Sequence, residues 1–190
     1  MYTVKLCDLS GIIHPYKLGL ITGRFQVLHK GHADMISKAL SICERVILFI
    51  GSSQESRTKS NPLTFEERKE LITEVFEPQV EKGRLIILPL PDAGLGDNEK
   101  WGDYVLSNIP AEYGTPDIAI SGRESRRATW FDNHNIAELF TAKTVDVSAT
   151  EMRKRLIDDD VQFWQEYTPL FIRHRYDELR NIILEVNGEA

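Results

Sequence analysis

The sequence predicts an α/β protein: a five-stranded parallel sheet with helices on both faces, followed by a helical C-terminal part. Three observations carry this expectation. Short, β-branched apolar runs without polar alternation recur between residues 18 and 147, the pattern of strands covered on both faces. Segments with apolar residues at helical spacing separate them, and such alternation implies parallel pairing through right-handed crossovers. The third is a glycine corner, Gly23-Arg24-Phe25-Gln26-Val27-Leu28-His29-Lys30-Gly31-His32, where the first strand hands over to the first helix.

Taken in order, Met1–Lys17 reads as an N-terminal extension laid against a single domain over residues 18–190. Within it Tyr2–Leu6 resembles a short strand, and His14-Pro15 marks a turn. The strands are expected at Leu18–Thr22, Val46–Ile50, Leu85–Leu88, Ile118–Ile120 and Thr144–Val147. Ile36, Ala39, Leu40 and Cys43 share one face of the first helix. Thr64 and Glu67 have the spacing of a capping box ahead of Arg68–Phe76. Trp101, Val105, Leu106 and Ile109 share a face of the third helical segment. From about residue 150 onward the chain reads as helical, with Thr168-Pro169 as an N-cap and first-turn pair. The apolar face of the last helix, through Leu179 and Ile183, suits packing on the domain or on a second subunit. Asp158-Asp159-Asp160 reads as a solvated turn.

Composition narrows the function classes. A chain of 190 residues suits one domain with a substantial core, and 42% hydrophobic with 27% charged residues is ordinary for a globular protein. The net charge of −6 opposes broad nucleic-acid binding, which needs a basic surface to release counterions. No apolar run approaches the roughly 18–20 residues of a membrane span, and the amino terminus lacks a signal-peptide layout. The two cysteines, Cys7 and Cys43, have no metal-ligand spacing. Cys43 is expected as a buried free thiol, which fits a reducing, cytoplasmic setting.

Chemistry concentrates at two helix starts. Unpaired N–H groups and the positive end of the helix dipole make such a start an anion site. At the first corner His29 and His32 flank Gly31 and add donors aimed at the same place. Metal binding is the rival use of two histidines, but zinc normally wants three or four ligands and no partner cluster is evident. The second start is Ser148-Ala149-Thr150-Glu151-Met152-Arg153, whose hydroxyls and guanidinium suit a polyphosphate. By itself it is an ordinary N-cap followed by a solvated arginine; paired with the first corner it reads as the other half of a clamp. Arg123–Arg127 is either a loop closing on phosphate or a solvated loop, and Lys154 and Arg155 read as helix-surface charges. Trp101 is either a core residue or a flat platform for a cationic ring.

Gly23-Arg24-Phe25-Gln26 with His29-x-Gly31-His32, together with Ser148-x-Thr150-x-x-Arg153, resembles the nucleotidylyltransferase superfamily. The Gly-Arg-Phe-Gln form is most similar to the archaeal type of nicotinamide-mononucleotide adenylyltransferases. Val27-Leu28 and Arg57 depart from that pattern, where Pro-Phe or Pro-Leu and a histidine are common. The resemblance implies a Rossmann-like nucleotidylyltransferase fold and an adenylyl transfer from ATP to nicotinamide mononucleotide, giving NAD and pyrophosphate. It implies His29, His32 and Arg153 as catalytic residues. Gly23, Arg24, Phe25, Gly31, Ser121, Gly122, Ser148, Thr150 and Arg153 would face ATP. Gln26, Ser52, Asp92, Asn98 and Trp101 would face the mononucleotide. Magnesium would come with ATP, with no protein metal site, and a homo-oligomer is expected, with no nucleic-acid or membrane partner. Another phosphate acceptor, such as nicotinate mononucleotide, a phosphopantetheine or a sugar or alcohol phosphate, is the alternative within enzymes. A nucleotide-sensing module without turnover is the alternative outside them.

Overall fold

The computed structural model describes residues 14–95, 99–122 and 129–188. Five strands, β1 (Tyr16–Gly23), β2 (Cys43–Gly51), β3 (Leu85–Leu90), β4 (Ile118–Ser121) and β5 (Ala137–Phe140), form one parallel sheet in the order β3-β2-β1-β4-β5. The helices are α1 (Lys30–Ile42), α2 (Phe65–Glu81), α3 (Glu99–Ser107), α4 (Ala149–Ile157), α5 (Val161–Tyr167) and α6 (Tyr176–Asn187). This is the expected α/β architecture.

Side-chain alternation along the central strands feeds two cores. Ile21 of β1 and Val46, Leu48 and Ile50 of β2 join a core with α1, α2 and the C-terminal helices. Leu18, Leu20, Ile47 and Phe49 join a second core with Val105 of α3, Phe131 and Ile136. Burial on both faces is why these strands read as unbroken apolar runs. Pro89 is tolerated in β3 because that strand lies at the sheet edge.

The fifth strand corrects the sequence expectation. It is Ala137–Phe140, an edge strand in which Ala137, Leu139 and Phe140 are exposed, so it lacks a buried strand's signature. Thr144–Val147 instead leads into α4. Val145 and Val147 pack on the first core, the Val147 N–H donates to the Val145 carbonyl (3.0 Å), and the Thr144 hydroxyl donates to Asp34 (2.6 Å). Its apolar alternation comes from one-sided packing of a loop.

Helix boundaries follow local chemistry. Both hydrogen bonds of the Thr64–Glu67 capping box are present at the start of α2. That helix kinks at Phe76 ahead of Pro78, whose ring and missing N–H break the ladder. Cys43 closes α1 and opens β2, buried and free. Thr168 is not an N-cap: it closes α5, and a 3₁₀ turn over Leu170–Arg175 follows Pro169 before α6 begins. Proline at 169 fixes the backbone where one helix ends, so the expected single start divides into a stop and a later start. Among the described residues no helix is long and apolar enough to cross a membrane.

Candidate active site

The strand order reverses between β1 and β4, and a crevice at the carboxyl ends of parallel strands on either side of such a point is where α/β sheets bind ligands. An open cleft of about 330 Å³ lies there. Thr22 and Gly23 of β1 and Ser121 and Gly122 at the end of β4 form its floor, with His29 and His32 on one wall and Ser148 and Ala149 on the other. The N-termini of α1 and α4 therefore converge on one space, the two motifs having been far apart in the chain.

The α1 half is built from close ring contacts. His29 is the N-cap of α1: its Nδ1 accepts the backbone N–H of His32 at 3.4 Å, a long bond. Its proton in the neutral form then sits on Nε2. The two imidazoles stack at 3.7 Å between centroids, 21° from parallel, and Phe25 meets His32 edge-on at 4.9 Å. Burial, then the charge of Lys143, lowers the His29 pKa to about 4. Burial first, then His29, holds His32 well below its ordinary value, the Val27 backbone acting weakly the other way. His32 Nδ1 is buried and lacks a hydrogen bond of good geometry. At neutral pH the two imidazoles of the corner are therefore neutral donors, not cations.

Two glycines make this packing possible. A Cβ on Gly31 would lie 3.1 Å from the His29 ring, and one on Gly23 would lie 2.9 Å from the Phe25 ring. The close approach they permit is thus between parts of the corner itself. Phe25 (φ 52°) and Ser52 (φ 48°) adopt left-handed backbone at the carboxyl ends of β1 and β2, which costs about 1–2 kcal/mol each.

The α4 half is tied to the first directly. Ser148 caps α4 by accepting the Glu151 N–H (3.1 Å). Arg153 reaches across to donate to the Gln26 carbonyl and also contacts the Thr150 hydroxyl (3.4 Å). Burial, then nearby Arg24, lowers its pKa. Arg24 itself is exposed. Arg153 therefore bridges the two motifs.

The remaining predicted residues are placed unequally. Gln26 is buried, and its amide both donates to the Leu63 carbonyl and accepts the Leu63 N–H, each at 2.9 Å. Its side chain braces the corner against the loop before α2 and turns no polar atom to the cleft. Ser52 is buried at the end of β2. Asp92 pairs with Gln54 at the end of β3, through bonds of 3.0 and 3.3 Å. Trp101 packs on the second core and against Trp130 (4.3 Å), which lines the cleft, so its core and platform readings are compatible. Asn98, Arg123–Arg127 and Cys7 lie outside the described residues.

Comparison with known proteins gives the chain its family. The cytidylyltransferase-like family model matches residues 20–86. The nicotinamide-nucleotide adenylyltransferase of Thermococcus kodakarensis is 32% identical over 178 residues, 87% of this chain and 85% of that protein. The nicotinamide-nucleotide adenylyltransferase of Caldivirga maquilingensis is 30% identical, over 90% of this chain and 96% of its own. The chain belongs to the nicotinamide-nucleotide adenylyltransferases. The fold also matches a solved bifunctional NMN adenylyltransferase/ADP ribose pyrophosphatase of Francisella tularensis, in complex with AMP and a manganese ion. That match has a TM-score of 0.68 at 21% identity, covering 92% of this chain and 52% of the other.

Three residues of this adenylyltransferase carry structural weight that motif reading did not assign. Arg68, fully buried, donates to the carbonyls of Thr64 (3.0 Å), Arg24 (3.0 Å), Gly51 (2.7 Å) and Ser52 (3.2 Å), locking the ends of β1 and β2 to α2. Burial lowers its pKa to about 10. Trp130 and Lys143 line the cleft. Only Arg68 had a signal in the chain, its place directly after the capping-box glutamate.

Proposed function

We propose that the cleft between β1 and β4 joins ATP to nicotinamide mononucleotide, giving NAD and pyrophosphate, by direct in-line attack of the acceptor phosphate on the α-phosphorus. The observation that carries the reading is the convergence of two helix N-termini, each with its own side-chain donors, on a crevice at the sheet's switch point. Such a reaction needs no protein nucleophile; orientation and preorganised donors supply the rate. In this reading His29 and His32 donate to the phosphates, with His32 stabilising charge at the α-phosphoryl group. Ser148, Thr150, Arg24 and Arg153 hold the β- and γ-phosphates, and Gly122 lets the adenine lie close to the backbone. Trp101, backed on Trp130, and Asp92 receive the pyridine nucleotide.

Among the described residues no group of three or more His, Cys, Asp or Glu side chains is placed to hold a metal. In this reading magnesium comes with the ATP phosphates, and no step assigned to the protein runs through it. The exposed pair Leu170 and Phe171 fits a homo-oligomer, and the buried thiol of Cys43 fits a cytoplasmic setting. Incubating the protein with ATP, magnesium and a panel of phosphate acceptors, and measuring pyrophosphate, tests the function. Release is expected with nicotinamide mononucleotide above all others; release with another acceptor alone, or nucleotide binding without release, rejects it.

A further inference from the structure

We propose that Lys143 is a substrate-binding residue that engages the ATP polyphosphate from the loop leading into α4. The inference rests on the reading of the cleft as an ATP site and adds to Arg24 and Arg153 a cation inside the cleft lining. Among the described residues lining the cleft, Lys143 is the one lysine or arginine. The two histidines beside it are neutral at pH 7, so they supply hydrogen bonds but no net charge. Arg24 and Arg153, which the same reading places on the β- and γ-phosphates, do not line the cleft itself, and Arg153 already bonds the Gln26 carbonyl and the Thr150 hydroxyl. A polyanion entering a protein of net charge −6 needs a local cation, and Lys143 faces that space.

The loop around Lys143 is fixed at both ends. The Thr141 N–H donates to the Ser121 carbonyl (2.8 Å) at the end of β4, and Thr144 donates to Asp34 of α1 (2.6 Å). The backbone at Lys143 is therefore held between the cleft floor and the helix that carries His29 and His32. Its ammonium pairs with Asp146 at 3.7 Å, where the Asp146 side chain is fully exposed. An exposed pair of this kind is worth little, so it does not tie the ammonium to Asp146, and the flexible stem permits the reach to phosphate. The influence of Lys143 on His29 is a second sign that its charge is felt across the site.

Equilibrium binding of ATP alone, by calorimetry, tests this without requiring turnover. Lys143→Gln is expected to weaken ATP binding about tenfold, the scale of losing one charge-assisted contact. Lys143→Arg should restore most of it, and the KM for the mononucleotide should stay within about twofold. In the ligand-free variant the His29 titration, followed by NMR, should move upward from about 4. Because Lys143 is exposed, unchanged thermal stability serves as the control on folding. Unchanged ATP affinity, or equal losses for ATP and the mononucleotide, overturns the proposal. ATP binding that depends on Lys143 in a protein that makes no NAD would instead keep the proposal and reject the assigned acceptor.

Discussion

Two imidazole rings stacked 3.7 Å apart cannot both hold a proton without strong repulsion, and burial makes even one costly. The consequence for His29 has a definite sign. Its folded pKa of about 4 lies below its unfolded value near 6.5, so the unfolded chain binds more protons between those limits. The stabilisation is complete above about pH 6.5 and is lost as the pH falls toward 4. Between pH 7 and pH 5 this one group should remove about 2 kcal/mol of stability, with His32 adding in the same direction. His29→Asn keeps an N-cap acceptor but cannot titrate, so its denaturation midpoint should change less over that range than the wild type's. A parallel pH dependence in both proteins rejects the assignment. For catalysis, His32→Ala should lower kcat about 10²-fold or more with the fold intact, the scale of one preorganised donor; near-normal turnover contradicts its role. The histidine corner is legible in the sequence because its parts are local. Lys143 is not: it becomes a site residue through the packing of its loop on α1, which no spacing encodes. Gln26 looks like a ligand group in sequence, and only Leu63, distant in the chain, reveals it as a brace.

At the scale of elements, the site depends on how three chain segments meet. Arg68 on α2 holds the ends of β1 and β2 through carbonyls alone, with no carboxylate bonded to its guanidinium among the described residues. Replacing it by methionine keeps the volume but leaves four carbonyls without that donor. Loss of about 3 kcal/mol is expected, measured as a shift of the urea midpoint at constant slope. Arg68→Lys should recover less than half, since a point donor cannot span four acceptors in the fork's geometry. Full stability in Arg68→Met would mean that the carbonyls find water instead. Buried elements are also the legible ones. The four strands β1 to β4 and the capped start of α2 announce themselves by apolar runs and by the Thr64–Glu67 spacing. The strand β5 does not, because an exposed edge strand has no need of an apolar pattern, while the one-sided loop at Thr144–Val147 imitates one.

The whole molecule puts its C-terminal helices to use as a support for the cleft. Met152 and Leu156 of α4 share the first core with Leu179 and Ile183 of α6, so the helix that presents Ser148 rests on the end of the chain. That end is in turn fastened to α2 by Arg175, whose guanidinium bonds Glu70 (3.1 Å), Glu74 and Glu178. Hydrogen bonding to Glu178 heads the causes that raise the Arg175 pKa, and the same contact lowers that of Glu178. A carboxylate with a lowered folded pKa stabilises above its unfolded value, and the effect is lost as pH falls through the folded one. Arg175→Met should therefore cost about 1–2 kcal/mol at pH 7, a figure kept modest because the glutamates are partly exposed, and less near pH 4. It leaves three carboxylates facing one another with no guanidinium between them, so the loss should appear where those helices meet. Hydrogen exchange of α6 and α4 amides should accelerate more than that of β1 and β2, because the strands sit in the sheet centre and open only globally. Uniform acceleration would show that Arg175 supports the whole fold, not the C-terminal support of the cleft.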